Sequence, residues 1–167
     1  MNNSVYEGDF RDVVNNTLIS SFMILPPIIL NYNESFSKVE EILRTRGIKH
    51  LPILDENGRL GGLITLSDLY RTCSPRRTIS GDYVYDKSQL DNFILKNVMT
   101  KNPSTLKAHN TLKDVLEIMT MRGFGCLPIV DDDRRIIGIV TQTDIVRIVS
   151  SVLGITKAKK EAGSPKK

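Results

Sequence analysis

Two stretches of the chain set a hydroxyl and a carboxylate at one spacing behind a glycine. They are Gly62-Leu63-Ile64-Thr65-Leu66-Ser67-Asp68 and Gly138-Ile139-Val140-Thr141-Gln142-Thr143-Asp144. In each, an apolar run suited to a strand gives way to a helical pattern, so Thr65 and Thr141 stand at the junction and Asp68 and Asp144 fall in the first helical turn. A helix N terminus presents N–H groups without helical partners and the positive end of its dipole; with a threonine hydroxyl beside them, these can receive a phosphate. A carboxylate in the same place repels phosphate. As acceptors only, Asp68 and Asp144 suit a pair of ribose hydroxyls at the other end of a nucleoside. Gly62 and Gly138, lacking a Cβ, let a flat ring or another chain segment come close to the backbone. The same residues also have a purely structural reading, because an acid in a first turn is favoured by the dipole whatever it binds, and threonine ends many strands. Recognition is favoured because the arrangement occurs twice in register.

Those stretches belong to a longer duplication. At an offset of 76 positions, with no gap, Leu51-Pro52-Ile53 and Asp55 pair with Leu127-Pro128-Ile129 and Asp131. Further out, Met23 pairs with Met99, Pro27 with Pro103, Leu30 with Leu106, Val39 with Val115, Arg46-Gly47 with Arg122-Gly123, and Arg71 with Arg147. One supersecondary unit is written twice.

The unit can be read element by element. Ile28 to Leu30 follows two prolines and reads as a short strand, with Ser104-Thr105-Leu106 as its copy. Ser37 and Thr111 precede helical windows that Gly47 and Gly123 close. Strands over 49–54 and 125–130 then turn tightly into strands over 60–65 and 136–141. Asp55-Glu56-Asn57-Gly58 offers Gly58 for a positive φ, whereas in Asp131-Asp132-Asp133-Arg134 an aspartate is expected to take that conformation. Ser67 and Thr143 are placed to cap helices over 68–72 and 144–153. Leu90 to Leu95 begins a helix leading into the second copy.

Alone, each copy leaves a sheet face and a helix face exposed, and packing the two about a pseudo-twofold axis buries both. The prediction is a mixed α/β (α+β) fold: two pseudo-twofold-related β-α-β-β-α repeats packed through their sheets. Its parts are an N-terminal segment capping repeat one (1–19), repeat one (20–73), a linker (74–95), repeat two (96–155) and a disordered basic tail (156–167).

Composition narrows the function. With 167 residues, 40% hydrophobic and 25% charged, the chain has room for one such module with a packed core. The net charge of +4 sits at the end of the chain, where Lys157, Lys159, Lys160, Lys166 and Lys167 face only Glu161, leaving the rest balanced. The basic balance therefore describes a solvated tail, not a nucleic-acid surface on the folded body. The longest apolar stretch, Leu18 to Leu30, is interrupted and too short to span a bilayer, and the N terminus lacks the pattern of a signal peptide. Cys73 and Cys126 fit neither a metal-ligand spacing nor a disulfide framework, so a cytoplasmic location is expected. With no activated Ser or Cys beside a base, no metal-ligand cluster and no glycine-rich phosphate loop, catalysis is not expected.

Both copies resemble CBS domains, and the tandem resembles the CBS pair called a Bateman module, over about residues 20–153. The resemblance is carried by Met99-Thr100, Asn102-Pro103, the glycine helix ends, Leu-Pro-Ile with its following acid, and the two Thr-x-x-Asp junctions. It implies a regulatory sensor, energy sensing among its roles, that binds adenosine-containing ligands such as AMP, ADP, ATP or S-adenosylmethionine in two clefts between the repeats. No catalytic cofactor or metal is implied. Asp68 and Asp144 are then expected on the ribose, Thr65 and Thr141 near phosphate, and Ile28-Ile29 and Ser104-Thr105 against adenine through their backbone. The resemblance also implies basic side chains just before Leu-Pro, where phosphates from the two clefts converge. Repeat one supplies Lys49 and His50; repeat two departs from the pattern with Gly125 and Cys126. A homodimer and a protein target are implied as well. Two rival readings stand beside this one: an assembly scaffold whose clefts stay empty, and a nucleic-acid-associated protein using its lysine tail.

Overall fold

The computed structural model describes residues 10–155, so the basic tail and the first nine residues lie outside the described residues. Helix α1 (Phe10–Asn16) leads through a turn of 3₁₀ helix (Ile19–Ser21) into repeat one. That repeat runs β1 (Leu30–Asn31), α2 (Phe36–Arg46), β2 (His50–Leu54), β3 (Leu60–Thr65) and α3 (Leu66–Thr72). The linker forms a small hairpin, β4 (Arg76–Arg77) and β5 (Tyr83–Val84), then two short helices, α4 (Lys87–Leu90) and α5 (Leu95–Val98). Repeat two follows with β6 (Thr100–Lys101), α6 (Leu112–Arg122), β7 (Cys126–Val130), β8 (Ile136–Thr141) and α7 (Gln142–Val152). Among the described residues, no helix is long and apolar enough to cross a membrane.

Helices α2 and α6 bury matching stripes, Phe36, Val39 and Leu43 on one, Leu112, Val115 and Met119 on the other. Both end where Gly47 (φ 61°) and Gly123 (φ 67°) turn left-handed, the conformation a side chain resists. The cap of α2 is Ser35, not Ser37: the Lys38 N–H donates to Ser35 Oγ at 3.3 Å, while the Ser37 N–H donates to Asp91 Oδ1 in the linker. Asp91 thus helps to break the expected Leu90–Leu95 helix into α4 and α5.

The two hairpins are built alike. Asp55 Oδ1 accepts from the N–H groups of Asn57 and Arg59, as Asp131 Oδ1 does from Asp133 and Arg135. Gly58 takes φ 72° in the first turn; in the second the left-handed residue is Arg134 (φ 62°), not an aspartate. Register settles this, because Arg134 is the counterpart of Gly58 and Asp131 is occupied in bracing the turn. The Arg134 carbonyl also accepts from the Leu60 N–H of the other repeat at 2.9 Å.

Each sheet is completed by chain belonging to the other repeat. Strands β1, β2 and β3 are joined by β6, which pairs Leu63 with Thr100 and Gly62 with Lys101. In repeat two, β7 and β8 are flanked by bridges from Leu106 to Ile129 and from Ile24 to Ile139, the same contacts displaced by one repeat. The cores follow suit. Leu90 and Leu95 lie in the core of repeat one with Met99 against it, and Ile19 lies in the core of repeat two with Met23 against it.

The N-terminal segment therefore caps repeat two, not repeat one. Val13 packs with Leu112 and Ile148, and the Thr17 carbonyl accepts from the Leu112 N–H at 2.8 Å. The reason is the bare edge of β8 and the hole that Ile19 fills. Gly62 and Gly138 serve the same exchange, because a Cβ on either would collide with the thioether of Met99 or Met23. Between the sheets, Leu63, Cys126 and Ile139 form a small apolar cluster where the hairpins meet.

Candidate functional site

The Thr-x-x-Asp junctions fold as capping boxes. In repeat two, Asp144 Oδ2 accepts from the Thr141 N–H at 2.9 Å and from the Thr141 hydroxyl at 2.7 Å. Asp68 Oδ2 does the same with Thr65 at 2.8 and 2.7 Å, and the Asp68 N–H donates back to Thr65 Oγ1. The helix caps are thus Thr65 and Thr141, two residues earlier than Ser67 and Thr143, because a threonine with an acid three residues on satisfies two free N–H groups reciprocally. The remaining oxygens are taken too. Arg147 Nη1 donates to Asp144 Oδ1 at 2.9 Å, and Arg71 Nη2 to Asp68 Oδ1. Both carboxylates are buried, whereas the arginine side chains are 70% and 76% exposed, so each guanidinium covers its acid from the solvent side. An arginine three residues after an aspartate on one helix was the sequence signal for these pairs.

Two clefts open between the repeats, one beside each junction. The first, about 410 Å³, is walled by Ile24, Pro26, Ile28, Lys49, His50, Gly125, Thr141, Gln142, Thr143 and Arg147, among others. The second, about 450 Å³, is walled by Thr65, Ser67, Thr100, Asn102, Pro103, Ser104, Phe124, Gly125, Cys126 and again His50. Of the predicted residues, Ile28, Lys49, His50, Gly125 and Thr141 come together in the first cleft, and His50, Thr65, Ser104, Gly125 and Cys126 in the second. Asp68 and Asp144 lie behind the walls under their threonines and arginines, and neither Ile29 nor Thr105 is part of a wall. Arg147, Gln142, Asn102 and Phe124 are wall residues outside the expected ligand contacts; of these, the sequence marks Arg147 and Asn102 only as register and motif positions. The 76-residue register relates Asn102 and Phe124 to Pro26 and Ile48 on the wall of the first cleft, whereas the counterparts of Arg147 and Gln142, Arg71 and Leu66, are not on the wall of the second.

His50 stands between the clefts, its Nε2 close against Gly125, where a Cβ would come within 3.0 Å. Burial, and then the charge of Lys49, hold its pKa below the ordinary histidine range. Its counterpart, Cys126, is buried among apolar groups, and burial pushes its thiol up to about 12, so it stays protonated and inert. Both cysteines are free. A third cavity, about 490 Å³ between α2, α3 and the linker, includes only Lys49 of the predicted residues.

Two pseudo-equivalent β-α-β-β-α repeats that exchange their lead-in segments and leave a cleft on each side of a shared axis define a tandem-repeat binding module. The CBS domain profile matches residues 19–74 and 95–151, and the chain belongs to that family. Its sequence is 32% identical over 132 residues to L-aspartate semialdehyde sulfurtransferase of Methanocaldococcus jannaschii, covering 79% of this chain and 23% of that protein. It is 27% identical over 137 residues to a CBS domain-containing protein of Dictyostelium discoideum, covering 81% and 93%. The chain spans between 23% and 47% of the length of the first four curated relatives it matches. Among solved structures it is similar to the CBS domain pair of protein MJ0100 in complex with 5′-methylthioadenosine and S-adenosyl-L-methionine. That likeness has a TM-score of 0.66 at 30% identity and covers 80% of this chain and 96% of that one. It is also similar to protein MJ1225 of Methanocaldococcus jannaschii, with a TM-score of 0.69 at 26% identity, covering 83% and 50%.

Proposed function

We propose that the chain is a regulatory, non-catalytic CBS pair that binds adenosine-containing ligands in its two inter-repeat clefts. The observation that carries this is the pair of clefts itself, each walled by a junction threonine and by the segment that leads to the first strand of a repeat. The ligands of the MJ0100 pair, a thionucleoside and a sulfonium nucleoside, support the same class. In this reading the adenine lies along Ile28 or Ser104, and the 5′ substituent points toward Lys49 and His50. The ribose hydroxyls replace Arg147 or Arg71 on the outer oxygen of the buried aspartate. Ligand binding then frees a guanidinium at a helix surface, which gives the module two states for a partner to tell apart, with the difference in ligand affinity setting the size of the switch. Tyr70 and Val146, counterparts on α3 and α7, are 54% and 63% exposed and support association of two copies through those helices. A cytoplasmic location and a protein target belong to the same reading.

The test is a thermal-unfolding panel. AMP, ADP, ATP or S-adenosylmethionine at about 100 times its dissociation constant should add roughly 2.7 kcal/mol to unfolding, a melting rise of roughly 5–11 °C at this chain length. One observation favours the scaffold reading: all four carboxylate oxygens at the junctions already have partners within the chain. No shift with any of these ligands, together with a stable dimer by light scattering, would establish it.

A further inference from the structure

The clefts are copies in backbone and not in side chains. Ile24, Pro26 and Ile28 wall the first where Thr100, Asn102 and Ser104 wall the second. At the inner end, the repeat-one pair Lys49 and His50 is matched by Gly125 and Cys126. Arg147 reaches the wall of the first cleft, whereas its counterpart Arg71 is not part of the second. The first cleft thus has an apolar side and two basic side chains, Lys49 and Arg147, with no acidic residue on its wall. The second has hydroxyl and amide side chains, an aromatic ring at Phe124 where the first has Ile48, and neither lysine nor arginine.

We propose that the two clefts sort adenosine ligands by charge, the first taking a phosphate-bearing adenine nucleotide and the second an uncharged nucleoside or thionucleoside. This rests on the reading that both clefts bind adenosine ligands. Lys49 forms no ion pair among the described residues, so its charge is free to meet a phosphate, while Arg147 is partly neutralised by Asp144. A phosphate placed in the second cleft would meet the Thr65 and Ser67 hydroxyls, a thiol that stays protonated and a glycine, with the shared His50 but no lysine or arginine to neutralise it. Taking that charge out of water without a cationic partner is unfavourable. Conversely, an uncharged ligand gains nothing from Lys49, and its heteroatoms find partners on Thr100, Asn102 and Ser104. Asn102 holds a left-handed φ of 46°, which presents an amide side chain where the first cleft has the featureless ring of Pro26.

The experiment is calorimetric titration of the full chain with AMP and with 5′-methylthioadenosine, each alone and each after saturation with the other. The expected result is one equivalent of each bound together without competition. Lys49→Ala should weaken AMP about tenfold or more and leave 5′-methylthioadenosine unchanged. Ser104→Ile, which copies the first cleft into the second, should do the reverse. Both positions are exposed, so neither substitution opens the core. Added salt should weaken AMP alone. If the two ligands displace each other, if AMP fills both sites, or if Lys49→Ala weakens both equally, sorting is wrong while adenosine binding stands. If neither ligand binds, sorting is wrong, and the adenosine reading falls with it if ADP, ATP and S-adenosylmethionine also fail to bind.

Discussion

Replacing Asp144 by alanine removes an acceptor shared by three donors, and the structure sets the cost. The Thr141 N–H, left without its partner at 2.9 Å, costs about 1–3 kcal/mol. The Arg147 pair adds less than about 1 kcal/mol, because that side chain is 70% exposed and its charge is screened. Asp144→Ala should therefore lower stability by about 1–4 kcal/mol, or the melting temperature by about 2–16 °C, with no ligand present. Asp144→Asn keeps an oxygen facing Thr141 and gives up mainly the arginine, so about 1 kcal/mol should be lost. Urea unfolding followed by circular dichroism measures both, with the midpoint shifting at constant slope. If alanine matches the parent to within about 0.5 kcal/mol, or if asparagine is as damaging as alanine, the bonds from Thr141 to Asp144 do not hold the helix start and the burial of Asp144 needs another cause. A ligand-induced shift in either variant has to be referenced to its own unliganded baseline, since the same carboxylate serves fold and ribose.

Three further outcomes follow from packing and charge. Ile19→Ala and Leu95→Ala each empty a fully buried site and should cost about 2–5 kcal/mol. The loss should fall in the opposite repeat, with Ile19→Ala reducing hydrogen-exchange protection in β7 and β8 before β2 and β3; the reverse order would contradict the exchange of lead-in segments. Because burial and Lys49 keep the folded pKa of His50 below 6.5, the folded state binds fewer protons than the unfolded one. Its neutral form is accommodated fully above pH 6.5, and stability should decline as pH falls through that value toward the folded pKa. Lys49→Ala should raise the His50 pKa in an NMR titration; an unchanged value would mean that the lysine charge does not reach the ring.

The repeated unit was legible because its markers are local. Gly47 and Gly123 announce helix ends, and the alternation after Leu-Pro-Ile announces strands, whatever lies elsewhere. Register did more than composition: Arg134 takes a left-handed turn because Gly58 does, a point that residue preferences alone reversed. The destination of the lead-in segments was not legible, because Ile19 and Leu95 advertise burial without saying in which core. The junction aspartates show the other limit. A Thr-x-x-Asp motif satisfies a helix start and suits a nucleoside equally well at the level of residue types, and only the folded structure shows that Thr65, Thr141 and the two arginines already occupy every carboxylate oxygen. The inequality of the clefts was half visible, in Lys49 and His50 against Gly125 and Cys126. Its other half, Ile24, Pro26 and Ile28 against Thr100, Asn102 and Ser104, needed the walls to be seen.

The exchange of Ile19 and Leu95 also bears on how the chain is made. As the protein leaves the ribosome, the first repeat cannot close until Leu90, Leu95 and Met99 have emerged, well past its last helix. The second repeat in turn closes around Ile19, which is made well before it and has to stay unpaired until then. A cut in the linker would leave two fragments, each carrying the plug for the other's hole. Such fragments should be soluble together and sticky apart, and they offer a way to reconstitute the protein from separately labelled halves.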